Sequence, residues 1–228
     1  MWDDQIPLLT QKYRVLRYDH RGHGQSDVPD GPYTFDELVS DVIGLMDNFG
    51  IRQADWLGLS MGAMTGLGLA LEHGGRFRRM VLADGRADAP QPFRDMWDQR
   101  IAAVRGGGTE AIADGTLGLW LTEPWRQANR SKTADVRKMI AATDTEGYVA
   151  CCEALQGLDY LKRLGAISTE VLYVVGSEDK GAAPEVMQAM TDATPGARLV
   201  EIPDAAHVAN INAPEAFNAA IAEFLEIA

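Results

Sequence analysis

The chain has 228 residues, of which 46% are hydrophobic and 24% charged, enough for one large domain or a domain with an inserted subdomain. A formal net charge of −12 argues against nucleic acid or an anionic membrane surface as partner, while leaving room for a local cationic pocket and an anionic substrate. There is no apolar run of about 18 residues, and the opening Met1-Trp2-Asp3-Asp4 is unlike a signal peptide.

Tyr13-Arg14-Val15-Leu16-Arg17-Tyr18 reads as a strand, running into the glycine-punctuated loop Asp19-His20-Arg21-Gly22-His23-Gly24-Gln25-Ser26. Arg21 is expected to brace that loop through backbone carbonyls. Thr34 to Phe49 has the pattern of a helix, with Thr34 and Glu37 forming a capping box, Leu38, Val42, Leu45, Met46 and Phe49 on one face, and Gly50 at the end. A strand is predicted at Ala54–Leu57, a helix at Met61–His73 and a strand at Arg79–Ala83. From Arg86 to Leu164 the periodicity is helical, with candidates at Phe93–Arg105, Glu110–Leu119, Ala134–Ala142 and Glu146–Leu155. Strand character returns at Glu170–Val175 and Ala197–Ile202. Helices follow at Pro184–Ala193, where proline suits the first turn, and at Pro214–Ile227.

Alternating strands and helices imply a mostly parallel sheet flanked by helices. The expected division is a core of residues 1–85 and 165–228 with a helical cap over 86–164. In such sheets ligands bind beyond the carboxyl ends of the strands, where Asp19, Ser60, Asp84, Asp179 and His207 all fall. Cys151 and Cys152 are adjacent, so they bridge poorly and point to a reducing, cytoplasmic setting. With four histidines and no close His/Cys cluster, no metal site is expected.

Gly58-Leu59-Ser60-Met61-Gly62 lies between a strand and a helix, a G-x-S-x-G turn in which small residues allow close approach and the serine sits at a strained apex. A serine hydroxyl needs a base to take its proton and a third group to orient that base. Ser60, Asp179 and His207 occur in that order after successive strands. Glu178 and Asp84 compete with Asp179 for the acid; His20, His23 and His73 do not fit the order.

These passages, with Gly176-Ser177-Glu178-Asp179 and Pro203–His207, resemble the α/β-hydrolase superfamily over nearly the whole chain. Tyr13–Asp19, Trp120–Arg126 and Thr145–Ala154 make the likeness closest to 3-oxoadipate enol-lactonases. The resemblance implies a cofactor-free hydrolase of aromatic catabolism, whose substrate is a small-molecule ester or lactone, here a five-membered lactone with a carboxylate side chain. Arg126 would suit that carboxylate, with Arg86 behind it, and Trp120 and Trp125 either wall the pocket or pack the cap. A general carboxylesterase, an acyl-homoserine lactonase, a cofactor-free perhydrolase and a catalytically dead ligand-binding homologue are the alternatives. The oligomeric state stays open.

The family's early strands and the His-Gly-type loop that donates a second oxyanion N–H are expected to be missing, leaving Met61 as the assignable donor. The sequence either lacks an N-terminal part, starts at an internal methionine, or is a short form that gains its donor elsewhere, such as from a partner subunit.

Overall fold

The computed structural model describes residues 1–227. Its centre is a parallel sheet of four strands, β1 (Ala54–Leu59), β2 (Phe77–Ala83), β3 (Glu170–Gly176) and β4 (Arg198–Ile202), paired in chain order. Register runs from Leu59 beside Ala83 to Ala83 beside Val174, so the carboxyl ends of β1, β2 and β3 lie level.

The strands are apolar on both faces because helices cover both faces. Val171, Tyr173 and Val175 of β3 pack with Leu82 of β2 and with the helices α2 (Phe35–Asn48), α3 (Met61–His73) and α9 (Pro184–Ala193). Leu172 and Val174 point the other way, joining Val81, Ala83 and Ile202 against Phe217, Ile221 and Phe224 of α11 (Pro214–Leu225). The switch at every residue is the period of a strand. Thr34 caps α2 as expected, accepting from the N–H of Glu37 while the Glu37 carboxylate accepts from Thr34.

Between β2 and β3 the chain forms helices alone: α4 (Gln91–Gly107), α5 (Ala113–Trp120), α6 (Glu123–Ala128), α7 (Arg130–Ala141) and α8 (Thr145–Gln156). An isolated antiparallel bridge between Asp88 and Asp159 draws the two ends of this insertion together, and the N–H groups of Tyr160 and Leu161 both donate to the Ala87 carbonyl. Two four-residue helices complete the set, α1 (Ile6–Leu9) and α10 (Ala209–Asn212).

Tyr13–Tyr18 departs from expectation, for it is not a strand. No strand lies beside it among the described residues, so it has no ladder to join. Val15 and Leu16 are exposed, and Tyr18 alone of its apolar residues packs on the α2–α3 core.

Candidate active site

The turn from β1 into α3 holds Ser60 at φ 53° and ψ −116°, a backbone conformation that a non-glycine residue adopts only under constraint. Two hydrogen bonds fix it: the Ser60 N–H donates to the Ala83 carbonyl at 2.8 Å, and its own carbonyl accepts from Met64 at 3.0 Å. Gly58 is required by contact, since a Cβ there would lie 2.2 Å from the Gly62 carbonyl oxygen. Gly62 is not. A Cβ at that position meets nothing within 4 Å, so the second glycine of the motif serves no close approach here.

Across the carboxyl edge of the sheet three side chains meet. His207 Nε2 is 2.8 Å from Ser60 Oγ, and His207 Nδ1 is 2.8 Å from Asp179 Oδ2. The other oxygen of Asp179 accepts from the N–H groups of Gly181, at 2.7 Å, and Ala182, at 3.2 Å. Those bonds aim the carboxylate at the imidazole. Glu178, the rival acid one residue earlier, is exposed.

Burial works against an imidazolium at position 207, yet the hydrogen bond and charge of Asp179 outweigh it and raise the His207 pKa above its ordinary value. Burial likewise works against the Asp179 carboxylate, but the bond and charge of His207 and the two backbone donors bring its pKa down. Asp84, the second rival, is fully buried. Burial, then the charge of Asp179, push its pKa well above the carboxylate range. Its Oδ1 accepts from the Gly176 N–H at 2.8 Å and its Oδ2 has no partner. The carboxyl group bonded to the imidazole is therefore that of Asp179.

The helical insertion reaches the same edge. The Trp120 carbonyl accepts from the N–H of Val208, immediately after His207, at 3.1 Å. Asn212 joins the two regions with one oxygen, which accepts from Ala206 and from Thr122, each at 3.0 Å. Nothing in the sequence marks Asn212 for this task. Trp120 and Trp125 are partly buried against the α11 side of the core. Arg126, one turn after Thr122, has no acidic partner among the described residues, and its Nε is buried without an acceptor there. Arg86 is unavailable: it pairs with Asp88 at 3.0 Å and lies over the Phe93 ring at 4.3 Å. Arg21 does brace its loop, but through carboxylates rather than carbonyls, holding Asp41 with two bonds of 2.7 Å and Glu37 with one of 2.9 Å.

The family model for the alpha/beta hydrolase fold matches residues 1–214. The chain belongs to the α/β hydrolases. Among similar members, 3-oxoadipate enol-lactonase 2 of Acinetobacter baylyi is 35% identical over 97% of this chain and 82% of its own length. The crystal structure of the enol-lactonase from Burkholderia xenovorans LB400 superposes with a TM-score of 0.95 at 38% identity, covering 99% of this hydrolase and 85% of that chain. A protein of Caulobacter segnis assigned as a carbamate hydrolase, RutD, is 27% identical over 99% of this chain and 86% of its own length.

Cys151 and Cys152 are both buried thiols, and burial raises their pKa values to about 12, which leaves them poor nucleophiles. No group of acidic, histidine or cysteine side chains suited to a metal ion occurs among the described residues. No helix among them is long and apolar enough to cross a membrane.

Proposed function

We propose that this α/β hydrolase opens a small lactone or ester by nucleophilic catalysis, with 3-oxoadipate enol-lactone, hydrolysed to 3-oxoadipate, as its substrate. The observation that carries the reading is the unbroken line of hydrogen bonds Ser60–His207–Asp179 on an enol-lactonase-like scaffold. Ser60 Oγ attacks the carbonyl carbon as His207 Nε2 takes the hydroxyl proton, and Asp179 holds the tautomer and the imidazolium. The ester C–O bond breaks, His207 gives the proton to the enolate oxygen, and the ring opens as an acyl-enzyme. Water, deprotonated by His207, then frees the acid. Met61 sits at the first position of α3, where a backbone N–H has no intrahelical acceptor, and is the donor for the developing oxyanion.

A carboxylate-bearing lactone calls for a cation beside the reacting carbonyl. Arg126 and Arg100 of the helical insertion both lack an acidic partner among the described residues. The deciding measurement is kcat/KM on the enol-lactone against p-nitrophenyl acetate and a small carbamate. A marked preference for the lactone upholds the reading. A preference for the carbamate, or no covalent labelling of Ser60 by a fluorophosphonate probe, rejects it.

A further inference from the structure

Arg100 points inward from α4 and is held by neutral groups only. Its Nε donates to the Tyr148 hydroxyl at 3.0 Å and its Nη2 to Thr116 Oγ1 at 2.6 Å. Thr116 in turn donates to the Ile112 carbonyl at 2.8 Å, so its lone pairs face the guanidinium. The cation lies over the Trp97 ring at 5.4 Å, and the Trp97 indole N–H is itself buried with no acceptor. Arg100 shares with Arg14, Arg52, Arg94, Arg126 and Arg130 the lack of an acidic partner among the described residues, and of these it alone donates to two side-chain hydroxyls. Arg21, Arg79 and Arg137 each hold two carboxylates, and Arg17, Arg76, Arg78, Arg86, Arg105, Arg163 and Arg198 one each. Two hydroxyls and an indole face orient a guanidinium but leave its charge whole.

The position is also telling. Thr116 stands one helical turn before Trp120 on α5, and the Trp120 carbonyl binds the N–H next to His207. Side chains four apart share a helix face. The positive charge of Arg100 is felt at His207, where it opposes the imidazolium.

We propose that Arg100 is the specificity-determining residue of this site, binding the free carboxylate of a lactone or ester whose acyl portion ends in an acid. The inference rests on the hydrolase reading above and deepens it by naming the substrate class and its reader. Tyr148 and Thr116 fix the guanidinium from one side, leaving Nη1 for the ligand. A bound carboxylate also neutralises the cation that opposes proton transfer to His207. An anionic substrate thereby gains in the chemical step as well as in binding.

The test compares p-nitrophenyl hydrogen succinate with p-nitrophenyl butyrate, esters of matched acyl length that differ in the terminal charge. In the native enzyme kcat/KM favours the succinate ester. In Arg100→Met that preference falls by about 10–100-fold, the range for a lost charge-assisted pair, with most of the change in KM. Arg100→Lys retains part of it, and raised salt weakens it in the native protein. In Arg100→Met the ionisation of His207 read from kcat/KM on the neutral ester moves upward, which loss of packing alone does not produce. Turnover of the neutral ester with no anion preference in the native enzyme overturns the proposal while leaving the hydrolase reading intact. So does an equal loss on both esters in Arg100→Met, or a preference abolished by Arg126→Met and untouched by Arg100→Met. Absence of turnover on either ester in the native protein removes the hydrolase reading itself. If Arg100→Met does not fold, the native preference, its salt dependence and Arg100→Lys decide.

Discussion

Asn212 and Thr122 are joined by a pair of hydrogen bonds: the Thr122 N–H donates to Asn212 Oδ1 at 3.0 Å, and Asn212 Nδ2 donates to Thr122 Oγ1 at 3.3 Å. Because the same Oδ1 accepts from Ala206, one buried side chain ties the helical insertion to the loop that carries His207. Asn212→Ala leaves two buried N–H groups without an acceptor. The expected cost is about 2–4 kcal/mol, or a fall in Tm of about 2–4 °C for each of those kcal/mol in a chain of this size. Activity should drop with it, since His207 loses its anchored neighbour. A thermal melt unchanged from the native protein would show that the latch carries no stability.

The raised His207 pKa sets opposite trends for rate and stability. His207 must be neutral to accept the Ser60 proton, so kcat/KM on a neutral ester rises with pH through an ionisation centred above the ordinary 6.5. A group whose pKa is raised on folding stabilises the fold fully below its unfolded value, and that contribution fades as pH climbs through the folded one. The pH range that switches the enzyme on therefore weakens this part of its stability. In Asp179→Asn the two largest effects opposing burial are lost and only the charge of Asp84 still opposes it. The midpoint should move below that of the native enzyme, and the plateau fall by as much as roughly 10⁴-fold. A midpoint that stays in place would separate His207 from Asp179.

Asp84 makes a purely thermodynamic prediction. A carboxyl group whose pKa is raised on folding costs nothing below its unfolded value near 4 and destabilises progressively as pH rises above it. Asp84→Asn keeps an oxygen for the Gly176 N–H and removes the ionisable proton. The Tm of the variant should gain on the native protein between mildly acid and mildly alkaline pH. A difference in Tm that is flat with pH refutes the assignment of a raised pKa.

The two glycines of the elbow should respond differently. Gly58→Ala places a methyl group against the Gly62 backbone, which has no rotamer to move away, and belongs with overpacking substitutions that cost about 1–3 kcal/mol or more. Gly62→Ala adds a methyl group in open space within α3, where alanine is favoured over glycine by about 0.8–1.0 kcal/mol. Thermal melts of the two variants should shift in opposite directions; a shared direction contradicts the contact geometry.

Long periodic elements were legible because their signal is local. Pro184–Ala193 and Met61–His73 form over the predicted residues, and the order Ser60, Asp179, His207 marked three side chains that meet at the sheet edge. Where the outcome depends on a neighbour, the sequence is silent. Tyr13–Tyr18 has strand composition but no partner, and α6 is too short for its periodicity to stand out. Arg86 and Arg126 look alike as text. Only the fold shows that the first is neutralised by Asp88 and the second is not. Asn212 and Arg100 were missed for the same reason. Their character comes from which groups surround them, here backbone donors and hydroxyls rather than opposite charges.

The junction at Ala87 and Tyr160 bears on how such an enzyme changes over time. Since Asp88 and Asp159 are bridged, the intervening helices form an excursion whose two ends meet, after which the chain crosses to the opposite edge of the sheet to begin β3. Away from Trp120 and Thr122, which hold the His207 loop, the length and sequence of these helices can drift without displacing β2 against β3. A library confined to the excursion and sparing Trp120 and Thr122 should leave the contact between Ser60 and His207 in place.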